Sequence, residues 1–251
     1  MTKAVTDSLL NAIERSERAV LFTVIEGEPL GAKALVLESG EQIGDGIPGA
    51  ALEQANELIR AARSRTLDVE EARIFADVYG PPPRLVIIGA VDTADSLCAA
   101  AKLLGWETIV ADARAKFATS ERIPHADRLI VKWPEEALAE VQPDHATAIV
   151  VLTHDDKFDI PALKAALASE VFYVGALGSR RNQQRRRERL LAEGVSPEEL
   201  ERVAGPCGLD LGGETQAETA LSILGEIVSV RFGRSGGRLR DAKQRIHAEV
   251  V

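Results

Sequence analysis

The amino-acid sequence predicts an α/β protein, a Rossmann-like, doubly wound parallel sheet preceded by a small α+β domain. Three observations carry this. A triple proline, Pro81-Pro82-Pro83, divides the chain, and proline's fixed φ makes such a run a stiff spacer. It leads into Arg84-Leu-Val-Ile-Ile-Gly-Ala90, an apolar run ending in glycine where a first parallel strand turns over into a helix. Beyond it, short apolar runs alternate with helical stretches, the pattern of a parallel sheet with helices on its faces.

The domain before the prolines, residues 1–80, opens on a short amphipathic helix over 2–17, with Leu9, Leu10 and Ile13 on one side. Strands follow at Ala19–Ile25 and Lys33–Leu37, joined by a turn at Gly27-Glu-Pro29. A glycine-rich bend over 44–49 leads into a helix from about Ala50 to Arg63, and Thr66 to Tyr79 alternates as a further strand. Residues 81–83 are the linker. In the second domain, 84–232, strands are expected at 84–89, 108–111, 128–131, 147–152 and 171–175, with helices near 93–104, 135–141 and 160–169. Two later helices announce themselves by capping boxes, Ser196-Pro-Glu-Glu199 and Thr215-Gln-Ala-Glu218. The second box precedes the apolar helix Ala220–Val230. Residues 233–251, glycine-rich and then charged, read as a mobile tail.

Composition narrows the function. With 251 residues there is material for two modest cores. A formal net charge of −9 disfavours nucleic acid and acidic membrane surfaces as partners, and no apolar stretch reaches transmembrane length. The first twenty residues are too polar for a secretory signal, and two cysteines make no disulfide framework. A cytoplasmic protein is expected. Four histidines, His125, His145, His154 and His247, give little scope for histidine-rich metal chemistry, and no metal site is assigned.

Four places are candidates for chemistry. The first is the turn after the first parallel strand, Gly89-Ala90-Val91-Asp92-Thr93-Ala94, with Asp112 standing 23 residues on, where a ribose-binding carboxylate belongs. Its second glycine is replaced by Val91, whose side chain crowds a pyrophosphate, so NAD(P) is disfavoured. The second is Phe172-Tyr-Val-Gly-Ala-Leu-Gly-Ser-Arg-Arg181. Gly175 and Gly178 permit a tight turn, Ser179 caps the next helix, and Arg180 and Arg181 add forked donors for phosphate or carboxylate. The helix continues through Arg185 to Arg189, read as charged side chains solvating an exposed face. The third is the loop Gly205-Pro-Cys-Gly-Leu-Asp-Leu-Gly-Gly213, in which Gly208 permits close approach to a ligand and Asp210 offers an acceptor. The alternative is a structural connection whose glycines serve only the backbone. The fourth is Thr153-His154-Asp155-Asp156 at the carboxyl end of a strand, where ligands of open α/β sheets bind. His154 is suited to acid–base work there or to holding a loop; Asp155, Asp156 and Asp159 form an acidic cluster. Cys98 reads as a small buried hydrophobe, and Cys207, in the glycine loop, as accessible.

Together Tyr173-Val-Gly-Ala-Leu-Gly-Ser-Arg-Arg181, Thr153-His154-Asp155, Gly205-Pro-Cys-Gly-Leu-Asp-Leu-Gly212 and Ala220-Leu-Ser-Ile223 resemble the XdhC/CoxF family of xanthine dehydrogenase accessory proteins. The resemblance runs from about Ala19 to Arg231, and the first motif is its most specific part. It implies a two-domain cytoplasmic chaperone, commonly a homodimer, that binds molybdenum cofactor transiently, protects it during sulfuration and passes it to an apo-enzyme of the xanthine dehydrogenase or CO dehydrogenase type. A cysteine desulfurase is a further implied partner. Such a protein is a carrier, and no catalytic residue is assigned. The cofactor-binding candidates are Gly175, Gly178, Ser179, Arg180, Arg181, His154, Asp155, Gly208, Asp210, Gly89 and Asp112. Two departures stand out. The family's Gly-Gly-Cys-Leu-Glu is Gly49-Ala50-Ala51-Leu52-Glu53 here, and its Gly-Ala-Gly-His is Gly89-Ala90-Val91-Asp92. The competing readings are an NAD(P)-dependent oxidoreductase using Asp112 and His154, and a ligand-free scaffold that binds the target enzyme.

Overall fold

The computed structural model describes residues 3–243. Its described residues divide into two units, one of residues 3–81 together with 238–243, the other Pro82–Gly237.

The first unit is built as α1 (Lys3–Glu14), β1 (Ala19–Glu26), β2 (Lys33–Leu37), β3 (Gln42–Gly44), α2 (Gly49–Leu52), α3 (Ala55–Ala61), β4 (Arg65–Val69) and β5 (Ala72–Tyr79). Its sheet is antiparallel, in the order β3-β2-β1-β5-β4. The central strand β1 buries both faces: Val20, Phe22 and Val24 pack with Leu58, Ile59 and Ile74, while Ala19 and Leu21 pack with Val5, Leu9 and Leu35. The strand expected over 66–79 is a hairpin instead. Its two-residue turn places Glu70 at φ +55°, a left-handed position normally marked in sequence by glycine or asparagine. The helix expected over 50–63 is broken between Leu52 and Ala55, where the Gln54 amide reaches Ala51 O at 3.1 Å, a tighter i to i−3 bond that interrupts the α-helical ladder. The short edge strand β3, nearly all exposed, has no apolar signature.

The second unit runs β6 (Arg84–Ile88), α4 (Asp92–Lys102), β7 (Glu107–Ala111), β8 (Arg128–Ile130), α5 (Pro134–Val141), β9 (Thr147–Val151), α6 (Asp156–Leu167), β10 (Tyr173–Ala176), α7 (Arg180–Ala192), α8 (Pro197–Leu200), β11 (Val203–Ala204) and α9 (Gln216–Arg231). All six strands pair in parallel, in the order β11-β10-β9-β6-β7-β8. Counted from β6 as the first, this is the 3-2-1-4-5-6 order of the doubly wound dinucleotide fold. Every residue of β9 is buried, because helices cover both faces. One core joins Leu85, Ile87 and Val150 to Leu97, Ile223 and Ile227 of α4 and α9. The other joins Val86, Ile88 and Ile149 to Leu138, Ile160, Leu163 and Leu190 of α5, α6 and α7. Both capping boxes form, Ser196 with Glu199 and Thr215 with Glu218. Of the expected tail, 233–243 contains a single 3-10 turn at Leu239–Asp241, and 244–251 lie outside the described residues.

Candidate functional site

The carboxyl ends of β6, β9 and β10 gather most of the sequence candidates. After β6 the backbone turns at Gly89, with φ +111°, so close to the β9 loop that a Cβ there would stand 2.6 Å from Thr153 Cγ2. Glycine is required on both counts. Val91 then caps α4 without a side-chain bond, and Asp92 and Asp95 place carboxylates in the first helical turn. Those charges already answer the positive helix end on which a pyrophosphate would rest.

Asp112, just past β7, is buried and both its acceptor oxygens are taken. Arg114 binds both its oxygens, Nε to Oδ1 at 2.9 Å and Nη2 to Oδ2 at 2.8 Å. The Ala90 amide donates to Oδ2 at 3.0 Å and the Arg114 amide to Oδ1 at 2.9 Å. Burial pushes the carboxyl up, but the Arg114 side chain and the two amides outweigh it and hold it below the usual carboxylate range. The Arg114 guanidinium also lies 4.3 Å from the Phe117 ring centroid. Gly89 and Asp112 therefore close the first turn of the sheet. The space left beside them, lined by Gly89, Asp112, Thr153 and Phe158, is about 10 Å³, about the least that admits a single water.

The β9 end is organised by a buried ion pair, Asp159 with Arg186, whose arginine belongs to the run expected on an exposed face. Helix α6 begins at Asp156, four residues earlier than expected, capped by Asp155, whose carboxylate accepts from the Lys157 amide at 3.2 Å and pairs with Lys157 Nζ at 3.1 Å. The early start turns Asp159 fully inward. Burial pushes its carboxyl up, opposed by the Thr153 hydroxyl and by Arg186. Arg186 is itself 2 % exposed. Its Nε and Nη2 reach Asp159 Oδ2 at 2.7 and 2.5 Å, Nη1 donates to Leu177 O at 2.6 Å, and Nη2 to Thr153 O at 2.9 Å. The rest of the arginine run stays outside: Arg185 and Arg189 pair with Asp156 at 3.2 and 3.1 Å, and Arg187 with Glu201 at 3.1 Å. The acidic cluster is thus divided among separate cations, and no group of three or more metal-ligating side chains exists among the described residues.

At the β10 end, Ser179 caps α7 by accepting from the Asn182 amide at 3.3 Å. Gly178 has φ +135°, and a Cβ on it would approach Arg186 Nη1 to 3.3 Å. Arg180 and Arg181 are exposed at the helix start, with no hydrogen-bond or ion-pair partner among the described residues. His154 stands exposed in the same way. Gly175 lies inside β10, paired with Val150 and Ala204. Its missing side chain makes room for the Tyr173 ring, 2.7 Å from where a Cβ would be, so it serves the strand and not the turn.

The glycine loop is stitched to the same strand end. The Cys207 amide donates to Ala176 O at 3.1 Å, Gln183 Nε2 to the same oxygen at 2.8 Å, and the Gly208 amide to Glu226 Oε2 at 2.8 Å. The Tyr173 hydroxyl donates to Glu226 as well. Gly208 belongs to this structural stitch, whereas Asp210 is exposed and has no partner among the described residues. Cys207 is buried, contrary to the expectation of an accessible thiol, and burial with the nearby Glu226 charge pushes it up to about 12. Cys98 is buried as expected, and burial pushes its thiol to about 12 also. Beside the loop, Arg180, Gln183, Leu190, Leu200, Val203 and Gly205 line a groove of about 240 Å³.

Residues 85–227, which hold this whole arrangement, match the family model described as the XdhC Rossmann domain. The chain belongs to the XdhC family. It is 33% identical to a Bacillus subtilis protein named as a probable xanthine dehydrogenase subunit, over 64% of this chain and 47% of that one. It is 32% identical to the Escherichia coli protein YqeB, described as uncharacterized, over 65% of this chain and 30% of that one. This XdhC chain therefore spans less than half the length of these two relatives. A third, the molybdenum cofactor insertion chaperone PaoD of Escherichia coli, is 26% identical over 89% of this chain and 86% of its own. A crystal structure of a protein named as a xanthine dehydrogenase of Bacillus halodurans superposes with a TM-score of 0.67 at 25% identity, covering 91% of this chain and 65% of that one. Among the described residues no helix is long and apolar enough to cross a membrane.

Proposed function

We propose that this XdhC-family chain binds molybdenum cofactor transiently and delivers it to a molybdenum hydroxylase of the xanthine dehydrogenase or CO dehydrogenase type. The observation that carries this is the pair of exposed, unpartnered guanidinium groups, Arg180 and Arg181, at the start of α7. The cofactor's pterin bears a phosphate, or a pyrophosphate in its dinucleotide form, and this donor set fits it: forked cations beside free amides at a positive helix end. The molybdenum chemistry belongs to the receiving enzyme. What these residues supply is grip, orientation and release. Ser179 holds the first turn closed, Arg180 and Arg181 bind the anionic tail, and His154 and Asp155 border the cradle from the β9 side. The relatives named as a cofactor insertion chaperone and as a xanthine dehydrogenase component support a role in enzyme maturation. A cytoplasmic location, a homodimer and a cysteine desulfurase partner belong to the same reading and rest on the family resemblance. Ala51, where the family's cysteine would stand, is fully buried, so thiol chemistry there is not part of the mechanism.

The oxidoreductase reading loses support at the first turn. Asp112 has both oxygens committed to Arg114 and Ala90, and Asp92 adds negative charge at the helix end a pyrophosphate would need. Titration of the purified protein with molybdopterin cofactor tests the proposal: binding is expected, and Arg180→Ala should weaken it about tenfold, the worth of a charge-assisted bond. Unchanged binding in both Arg180→Ala and Arg181→Ala would remove the site, and sub-millimolar binding of NADH would restore the oxidoreductase.

A further inference from the structure

We infer that Arg186 is the positioning residue of the anion site: by holding the carbonyls of Thr153 and Leu177 it turns the amides of His154 and Gly178 outward as two further anion donors, so that the site spans the β9 and β10 loops. The inference rests on the anion-binding role proposed for the α7 turn. Neither the Thr153–His154 nor the Leu177–Gly178 peptide bond is cis, and within a trans peptide unit the C=O and N–H point in opposite directions. Leu177 O is fixed on Arg186 Nη1 at 2.6 Å and Thr153 O on Nη2 at 2.9 Å. The Gly178 and His154 N–H groups must then face away from the guanidinium, and neither has an acceptor among the described residues. Backbone donors left this way are satisfied by solvent or by a ligand. Gly178 stands two residues before Arg180 at the start of α7, and Arg186 of the same helix ties down the peptide that carries the His154 amide. The acidic side chains nearby are offset by their own cations, Asp155 by Lys157 and Asp156 by Arg185 and Arg189.

The choice of residue supports geometry over stability. An apolar pair of similar volume often serves a core as well as a buried ion pair does. Only arginine carries a planar fork able to bind a carboxylate and two carbonyls from different loops at once. Gly178 completes the fit, since a side chain there would press on Nη1.

The test titrates the full-length, ¹⁵N-labelled protein with inorganic phosphate and, separately, pyrophosphate. The amide resonances of Gly178 and His154 should shift along one saturation curve, and a curve in which neither moves overturns the proposal without need of any variant. Arg186→Lys keeps a charge opposite Asp159 but gives a single ammonium that cannot span both carbonyls. It should bind phosphate about tenfold more weakly and lose the two amide shifts. Wild-type affinity and shifts in Arg186→Lys, alongside lost binding in Arg180→Ala, would leave the anion site standing and reduce Arg186 to a structural residue. No binding by the wild type to either probe or to the cofactor would remove both.

Discussion

At the scale of single residues, environment outweighs identity. Asp112 has the position of a ribose acceptor, yet four donor contacts from Arg114 and Ala90 make it a clamp between the β6 turn and the β7 loop. Because its carboxyl is held below the usual range, its stabilising contribution is complete above the unfolded value of about 4 and fades as pH falls through the lower folded value. Urea unfolding should therefore show wild type losing stability between pH 4 and the acid limb. Asp112→Asn should cost about 2 kcal/mol at pH 7, as hydrogen bonds to a charge are lost, and should flatten that loss; an unchanged acid limb would mean that other carboxylates dominate it. The thiols give a second prediction. Cys98 and Cys207 are buried with pKa values near 12, and the thiolate is the reactive form. Neither should be alkylated by iodoacetamide in the native protein at pH 8, and both should react in denaturant. Rapid native labelling of Cys207 would show that the glycine loop opens.

Elements were legible in the sequence where apolar runs and caps speak, and obscure where a helix buries polar atoms. The alternating runs over 84–176 and the two capping boxes were read from pattern because each has a direct physical cause, hydrophobic burial or amide capping. The β4–β5 hairpin is hidden in the sequence because its turn uses Glu70 in place of a glycine. The buried ion pair of α7 is hidden because six arginines in one helix read as solvated charge. A signal existed: a 13-residue helix must turn some stripe inward, and Arg186 sits one turn before Leu190, the helix's only fully apolar buried residue. Two substitutions separate these influences. Leu190→Ala should cost about 2–5 kcal/mol through cavity formation, whereas Thr215→Ala, which removes one half of a capping box, should cost about 1 kcal/mol. Thermal unfolding that ranks them in reverse would show that α7 is held by its ion pairs and not by its apolar contact.

At the scale of the molecule, the site groups converge on one unit. Thr153 to Asp155, Leu177 to Arg181, Arg186 and the Gly205–Gly208 stretch all belong to Pro82–Gly237, as do both cores that clamp the parallel sheet. The carboxyl ends of β9 and β10 are set by main-chain pairing along four residues, Tyr173 to Ala176 against Ala148 to Val151. Their loops are then joined by Arg186 and by the Cys207 amide on Ala176. None of these bonds calls on a residue before Pro82. A chain of residues 82–237 should therefore fold alone, unfold in a single cooperative transition, and bind inorganic phosphate with an affinity within about threefold of the full chain, still dependent on Arg180. Calorimetry and a phosphate titration on the fragment decide this. A fragment that folds cooperatively but no longer binds would mean that the first unit supplies part of the cradle, and a fragment with no cooperative transition would show that the parallel sheet needs the antiparallel one to stand.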